Sequence, residues 1–308
     1  MGLSEFDLIQ QYFSQIGDSP SVRVAVGDDA AVLQLPEGHV QLISVDAAVS
    51  GVHFVPNTSA DIIAYRAIMA AASDLAAMGA KPEGMLLALT LPNAEGEWLA
   101  SFAEGARRAS LVTTMPLIGG DTTRGSLCIT VTVVGSAPVD RYLTRSGARP
   151  GDRLCVSGTL GDAAAGLSLL ENTDVSLSAK HAAFLQQRFT QPTARLALGQ
   201  TLNALATSAI DVSDGLLADA GHLARASDVR LVIHRDAIPV STALQAHPDQ
   251  TQVQEWVLRG GDDYELLFTL PPEAPLPNDC TEIGLVSEGE GVRCDGAEHM
   301  TGYDHFGH

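Results

Sequence analysis

Aspartates in apolar surroundings are the residues of this chain that point most directly to chemistry. Asp46 interrupts the apolar segment LISVDAAV, and Asp74 is the only charged residue between Ala67 and Ala80. An ionised carboxylate in such a place is costly unless it is paired, hydrogen-bonded or bound to a metal. Further aspartates end strand-like segments, namely Asp28, Asp29, Asp121, Asp211 and Asp214.

Carboxylate oxygens are hard ligands that suit Mg²⁺. GDD, GGD and SDG are also common turn sequences, so each strand-end aspartate taken singly has a turn or a helix cap as its alternative. Asp74 differs, because an aspartate in the middle of a helix is neither. Together these positions predict a cluster of divalent cations, whereas Asp152 in PGD and Asp162 in GTLGD are predicted to be turn residues.

The net charge limits the partners of the chain. Its 308 residues carry a formal charge of −19, from 37 acidic and 18 basic side chains. A field of this sign repels nucleic acid and anionic lipid, so we expect neither nucleic acid nor a membrane as a partner. The sequence starts without a basic signal-peptide region, and its 4 cysteines lack disulfide-like or zinc-like spacing. We therefore expect a cytoplasmic protein with reduced thiols.

The familiar nucleotide-binding motifs are missing from the sequence. The 2 lysines, Lys81 and Lys180, lie outside the patterns of P-loop and protein-kinase sites. The segment DVSDGLLAD also lacks the alternating oxygen ligands of an EF-hand. If the chain binds a nucleotide, its phosphates must then be held by metals, by arginines and by N–H groups of glycine turns such as the one at residues 119–120.

Strands and helices must bring these residues together. Residues 22–54 are predicted to form two strands, and residues 59–78 a helix with Asp61 in its first turn. A strand, a second helix near residues 95–112 and two more strands follow. This order predicts a split βαβ unit of ferredoxin-like type.

A segment rich in Gly, Pro and Arg, at residues 143–154, is the predicted linker to a second unit. That unit begins with a strand and continues with helices near residues 161–171, 178–189, 194–207 and 214–226. Two further strands are predicted at residues 263–270 and 282–289. The predicted fold is thus an α+β domain over residues 1–142, followed by an α/β domain over residues 143–308.

Taken in order, the motifs of this chain resemble those of the thiamine-monophosphate kinases. The resemblance runs over nearly the whole chain, from SEFDLI at 4–9 to GYDHF at 302–306. The motifs between these two are VGDDAA (26–31), SVDAAVSGVHF (44–54), SDLAAMGA (73–80), LIGGDTTRG (117–125), LTRSGARPGD (143–152), AIDVSDGL (209–216) and GGDDYEL (260–266).

The resemblance implies an ATP-dependent kinase that converts thiamine monophosphate to thiamine diphosphate by direct in-line transfer, with several Mg²⁺ ions. It also implies membership of a superfamily with aminoimidazole ribonucleotide synthetase, selenophosphate synthetase and a hydrogenase maturation factor. Such proteins dimerise through the sheet of the N-terminal domain, so a homodimer is expected, with ATP bound at the cleft to the C-terminal domain. A K⁺ requirement is a further expectation from the family.

The resemblance assigns individual residues as well. The implied magnesium ligands are Asp29, Asp46, Asp74, Asp121 and Asp211, assisted by Ser44 and the main chain near Val45, with Asp214 near a further ion; Asp29, Asp46 and Asp74 would serve catalysis through the metal. The implied ATP contacts are Gly120, Asp121, Arg145 and Ser213. The implied contacts to thiamine monophosphate are His53, Asp262 and Tyr303, where Tyr303 would stack on the cationic thiazolium.

The chain departs from the family pattern in two places. Val45 and Ala47 flank Asp46 where the family usually has threonines, so backbone carbonyls replace hydroxyls as possible ligands there. Asp262 stands where the family usually has glutamate and reaches one methylene less, so a water can bridge its contact. Two alternatives stay open, a sister enzyme of the superfamily and a non-catalytic nucleotide or metal sensor; the pair GGDDYEL and GYDHF favours the thiamine branch.

Overall fold

The computed structural model describes residues 5–171 and 177–296. The chain forms two compact units. The first contains the described residues up to Asp140 except Ala76–Gly79, and the second contains Ala76–Gly79 and the described residues from Arg141 onward.

The first unit is built around a four-stranded sheet. It is preceded by a short helix α1 (Glu5–Leu8), a π-helical turn (Ile9–Phe13) and the antiparallel pair β1 (Val22–Val24) and β2 (Val32–Leu33). The remaining elements in chain order are β3 (His39–Val49), α2 (Ala60–Ala77), β4 (Lys81–Leu91), α3 (Gly96–Thr113), β5 (Leu117–Arg124) and β6 (Cys128–Pro138).

The sheet of the first unit has the strand order β3-β6-β4-β5. Strand β6 is antiparallel to both β3 and β4, whereas β4 and β5 are parallel. Because β6 lies between two parallel strands, β3, α2 and β4 form the expected split βαβ unit, and the predicted fold class is confirmed. The first of the two strands predicted in residues 22–54 is instead the short pair β1 and β2, since Gly27, at φ +117°, turns the chain between them.

Strand alternation gives this sheet one buried and one exposed face. Ile129, Val131 and Val133 of β6 are fully buried, as are Ile68 of α2 and Phe102 of α3, so the two helices cover the buried face. The helices approach each other closely where α3 has a glycine. A Cβ at that glycine, residue 105, would collide with the backbone of α2.

The second unit contains a six-stranded sheet with the order β12-β9-β11-β7-β10-β8. Strand β12 is parallel to β9, and the other neighbouring strands are antiparallel. Its elements are β7 (Arg153–Ser157), α4 (Asp162–Glu171), α5 (Ala179–Thr190), α6 (Leu196–Leu202), β8 (Ser208–Val212), α7 (Leu216–Ser227), β9 (Arg230–Ile233), a 3-10 turn (Arg235–Ala237), α8 (Thr242–Gln245), α9 (Gln250–Arg259), β10 (Glu265–Leu270), β11 (Cys280–Ser287) and β12 (Gly291–Cys294).

Apolar side chains cover both faces of this second sheet. Leu154 and Val156 of β7 belong to one core cluster, which also takes in residues of α4, α5, α7 and α9. Cys155, between them, belongs to another cluster on the opposite face, together with Leu202 of α6. The sheet is therefore a middle layer with helices on each side, as expected for an α/β domain. Across the described residues, the helices are too short or too polar to cross a bilayer.

Candidate functional site

Asp46 and Asp74 come together in the first unit. Ser44 and Asp46 lie on the same face of β3 because they are two residues apart, and the hydroxyl of Ser44 donates a hydrogen bond to Oδ2 of Asp74 on α2. Burial, followed by the charge of Asp74, raises the pKa of Asp46 to about 6. Two carboxylates that repel each other in a partly buried place are a donor set that a divalent cation would stabilise.

Asp29 and His53 lie in loops of the same unit. Asp29 is exposed in the turn between β1 and β2, where its N–H donates to Oδ1 of Asp28 at 2.8 Å. His53 follows β3, and its Nδ1 accepts a hydrogen bond from the N–H of Val49 at 3.1 Å. A neutral His53 must therefore carry its proton on Nε2, which makes that atom a donor to a ligand.

Gly120 and Asp121 lie on β5, at the opposite edge of the sheet from β3. Gly120 has φ +155°, and a Cβ there would collide with the backbone of β4, so this close approach needs glycine. Asp121 is in register with the exposed Ala88, whereas Asp46 is in register with the buried Val131. Asp46 and Asp121 of one chain thus lie on opposite faces, about 14 Å apart across the sheet.

Asp211 lies near the end of β8 in the second unit, and Ser213 and Asp214 lie in the turn that follows this strand. Oδ2 of Asp219, a buried residue in the first turn of α7, accepts hydrogen bonds from the N–H groups of Ser213 and Asp214, each at 3.0 Å. Burial, followed by the charges of Asp211 and Asp214, raises the pKa of Asp219 to about 8. The sequence prediction missed Asp219, although an acidic residue in a first helical turn is a signal for binding N–H groups there.

The GGDDYEL segment lies directly beside this turn. The N–H of Asp262 donates to the carbonyl oxygen of Ser213 at 2.9 Å, and the N–H of Tyr264 donates to that of Val212 at 2.9 Å. A side chain at Gly261 would collide with the carbonyl of Ser213, so the two segments approach each other through a glycine. The structure thus brings Asp262, assigned to thiamine monophosphate, together with Ser213, assigned to ATP.

Asp262 and Tyr264 share an uncommon backbone conformation. Both are left-handed, with φ of 69° and 52°, and the hydroxyl of Tyr264 donates to Oδ1 of Asp262 at 2.9 Å. Asp263, between them, is buried. Its carboxylate accepts hydrogen bonds from the N–H groups of Gly161 at 2.6 Å and Ala163 at 3.1 Å, which fix the segment to the start of α4.

Arg145 lies on a segment that runs along β8. The carbonyl of Thr144 accepts a hydrogen bond from the N–H of Ala209 at 3.0 Å, and the carbonyl of Arg145 accepts one from the hydroxyl of Ser227 at 2.9 Å. Its side chain is exposed, and its role in binding the phosphates of ATP stays a prediction. Tyr303 lies outside the described residues.

A buried ionic network lies behind the GGDDYEL segment and was not predicted from the sequence. Glu265 is fully buried and forms ion pairs with Arg195 and with Arg188, the latter at 3.0 Å. The hydroxyl of Ser157 donates to Oε2 of the same Glu265 at 2.5 Å. These partners come from β7, α5 and the start of α6, so the network links several elements around the first residue of β10.

Asp152 and Asp162 differ in how well the turn prediction describes them. The carboxylate of Asp152 accepts a hydrogen bond from the N–H of Arg149 at 2.9 Å, which closes a turn as predicted. Asp162 is instead the fully buried first residue of α4, where its carboxylate accepts hydrogen bonds from Thr159 and Ser241, each at 2.5 Å. The prediction for Asp162 was wrong because its buried partner, Ser241, is distant in sequence.

The assigned magnesium ligands are only partly grouped. Within residues 5–171 and 177–296, no three His, Cys, Asp or Glu side chains lie close enough together to hold one ion. In the first unit the structure brings together Asp46 and Asp74, and in the second it brings together Asp211 and Asp214 beside Asp219.

Two family models match the chain: AIR synthase related protein, N-terminal domain, at residues 27–137, and its C-terminal domain at residues 149–294. The chain is 41% identical to thiamine-monophosphate kinase from Escherichia coli (strain K12), over 99% of each protein.

The chain is also similar to solved structures. Thiamine-monophosphate kinase from Stenotrophomonas maltophilia K279a superposes with a TM-score of 0.83 at 39% identity, covering 90% of this chain and 92% of that chain. AaThiL complexed with AMPPCP and TMP has a TM-score of 0.83 at 36% identity, covering 92% of each chain. With this identity over nearly its full length, the chain belongs to the thiamine-monophosphate kinase family.

Proposed function

We propose that this protein transfers the γ-phosphate of ATP to thiamine monophosphate and releases ADP and thiamine diphosphate. The names of its relatives, and the complex of AaThiL with AMPPCP and TMP, support this reaction. The observation that carries the proposal is the 2.9 Å hydrogen bond from the N–H of Asp262 to the carbonyl of Ser213. It links Asp262, which is assigned to thiamine monophosphate, to Ser213, which is assigned to ATP. Because ATP is the donor, we place the reaction in the cytoplasm.

Both substrates are anions, and the chain itself has a net charge of −19. We therefore propose that several Mg²⁺ ions are needed, and that they supply the positive charge between the two phosphate groups. The partly buried pair of Asp46 and Asp74 supports this choice, because a divalent cation would offset the repulsion between their carboxylates. The proposed ligands are Asp29, Asp46, Asp74, Asp121 and Asp211, assisted by Ser44 and the main chain of Val45, with Asp214 near a further ion.

The side chains then act by binding and orienting rather than by proton transfer. A phosphate monoester already carries a charge of about −1.5 to −2 near neutral pH, so no general base is needed to activate the acceptor. We propose direct in-line transfer, in which Gly120 and Arg145 hold the phosphates of ATP and His53 donates from Nε2 to the acceptor. Tyr303 would stack on the thiazolium.

We also propose that the protein is a homodimer that associates through the sheet of the first unit. The exposed face of β3 carries Ile43, Val45 and Val49, with 62%, 60% and 37% of their surface exposed. A contiguous apolar face of this kind is typical of an interface. Sedimentation should give twice the chain mass of 32.2 kDa, and Ile43→Lys should give a monomer.

The purified protein, given ATP, thiamine monophosphate and Mg²⁺, tests the reaction. We expect ADP and thiamine diphosphate in equal amounts, and neither when EDTA removes the metal. Parallel assays in K⁺ and Na⁺ test the expected K⁺ requirement. ADP release that ignores thiamine monophosphate would indicate a sister enzyme of the superfamily, and no ADP release at all would indicate a sensor.

A further inference from the structure

Tyr264 makes a contact for which the proposed reaction has no use so far. Its phenol donates a hydrogen bond to Oδ1 of Asp262 at 2.9 Å, and only 9% of the tyrosine is exposed. A hydrogen bond to an ionised carboxylate is stronger and more directional than one between neutral groups. The bond occupies one oxygen of Asp262 and thereby fixes the direction of the other.

The backbone around this bond is held in place from several sides. Asp262 and Tyr264 both have positive φ, which side-chain-bearing residues keep only where the surroundings enforce it. The buried Asp263 between them provides that anchor through its bonds to the N–H groups of Gly161 and Ala163. The carbonyl of Asp263 also accepts a hydrogen bond from Arg188 at 3.4 Å. These bonds fix the backbone between Asp262 and Tyr264, and so they fix the contact between the two side chains.

We propose that Tyr264 is a positioning residue, which holds the carboxylate of Asp262 in the orientation that meets thiamine monophosphate. Without the phenol, rotation about the side-chain bonds of Asp262 would spread its carboxylate over several directions, and the bound substrate would have to restrict it. The inference rests on the proposed function, and it assigns Tyr264 an effect on the acceptor rather than on ATP. Tyr264 acts through Asp262 and does not itself contact the substrate.

The variant Tyr264→Phe removes the donor and keeps the ring. We expect the KM for thiamine monophosphate to rise about tenfold, which corresponds to the loss of one such hydrogen bond. The KM for ATP and kcat should stay within about twofold, because the backbone bond to Ser213 is unaffected. Tyr12→Phe, at a half-buried tyrosine in the first unit, is the matched control and should leave all three constants unchanged.

A double-mutant cycle with Asp262→Ala separates positioning from a general structural role. If Tyr264 acts through Asp262, then Tyr264→Phe has no further effect on the KM for thiamine monophosphate once Asp262 is alanine. If the wild-type protein makes thiamine diphosphate, two results overturn the assignment. One is that the effects of the two substitutions on the KM for thiamine monophosphate add, and the other is that Tyr264→Phe raises the KM for ATP equally. A wild-type protein that makes no thiamine diphosphate overturns the proposed function and this inference with it.

Thermal unfolding checks that each variant is folded. If Tyr264→Phe does not fold, 3-fluorotyrosine at position 264 takes its place, because it keeps the shape and makes the phenol a stronger donor. The KM for thiamine monophosphate should then fall about twofold if the phenol orients the carboxylate. An unchanged KM would count against the inference.

Discussion

The hydroxyl of Ser44 on β3 donates a hydrogen bond to Oδ2 of Asp74 on α2. The bond joins a strand and a helix at the place where two acidic residues meet, and it fixes the direction of the Asp74 carboxylate. Burial is the larger cause of the raised pKa of Asp46, and the second cause, the charge of Asp74, is therefore held in a defined position.

Replacing Asp74 by asparagine should abolish phosphate transfer and leave the fold intact. The amide removes the negative charge of a proposed metal ligand, and we expect kcat/KM to fall at least about a hundredfold. Asp61→Asn is the matched control on the same helix, because Asp61 forms a partly exposed ion pair with Arg108 at 3.1 Å. Thiamine diphosphate formation and thermal unfolding measure the two effects, and an active Asp74→Asn enzyme would remove Asp74 from the ligand set.

The stability of the metal-free protein should depend on pH through Asp46. An ordinary aspartate side chain has a pKa of 3.8, whereas Asp46 in the folded protein has a pKa of about 6. The folded state keeps this proton to a higher pH than the unfolded chain does. This contribution to stability is therefore complete below pH about 4 and is lost as the pH rises through about 6. Urea unfolding in EDTA should show that the free energy of unfolding falls over this pH range. Asp46→Asn should make that fall smaller, by at most about 3 kcal/mol.

Magnesium affinity should show the opposite trend with pH. Asp46 must lose its proton to bind a cation, so binding competes with protonation. The affinity for Mg²⁺ should rise as the pH passes through about 6 and level off above it. Calorimetric titration at several pH values measures this. A flat profile in the wild-type protein would exclude Asp46 as a ligand.

Gly120→Ala should destabilise the first unit. Its φ of +155° and the collision of a Cβ with the backbone of β4 both oppose any side chain. We expect a loss of about 2 kcal/mol or more in the free energy of unfolding, together with a higher KM for ATP. Gly119→Ala is the control, since its Cβ would meet a side-chain carbon of Leu86 at 3.5 Å, an ordinary contact.

Asp219→Ala should weaken ATP binding without touching ATP directly. Oδ2 of Asp219 is the acceptor for the N–H groups of both Ser213 and Asp214. Two partly buried N–H groups without acceptors should cost up to about 1–3 kcal/mol each in stability and raise the KM for ATP. Asp219→Asn keeps an acceptor oxygen and should remain close to wild type. Equal loss in both variants would show that the charge of Asp219 matters rather than its hydrogen bonds.

Glu265→Ala should be strongly destabilising. The substitution leaves Arg188 and Arg195 without their buried carboxylate, and we expect a loss of about 3–5 kcal/mol. Glu255→Ala removes an exposed ion pair with Arg259, 3.3 Å long, and should cost at most about 1 kcal/mol. Urea unfolding of both variants measures the difference, and similar losses would contradict the burial argument.

The sequence predicted the architecture of the first unit well because its signals are local. The helix over residues 59–78 was predicted from its start and stop signals, and the strands of residues 22–54 from their β-branched and apolar side chains. Asp46 and Asp74 were recognisable because charged residues stand out in apolar segments. In the second unit β9, β12 and α9 were missed, since two are strands of four residues and the third is a largely polar helix.

Residues whose partners are distant in the chain could not be predicted. Asp263 binds the N–H of Gly161, which is 102 positions away, and nothing near Asp263 in the sequence indicates that contact. The same holds for Glu265 and its two arginines. The family resemblance supplied the roles of Asp262 and Ser213, but their direct hydrogen bond is visible only in the structure.

Strand β3 presents two different surfaces on alternate residues. Ser44 and Asp46 face the helices, and Ile43 and Val45 face outward. A shift of one position in its pairing with β6 would place Ile43 and Val45 on the face that now carries Ser44 and Asp46. Deleting one residue within β3 should therefore break the hydrogen bond from Ser44 to Asp74 on α2 and remove the apolar side chains from the exposed face in a single step. The length of this strand therefore sets the position of both surfaces at once.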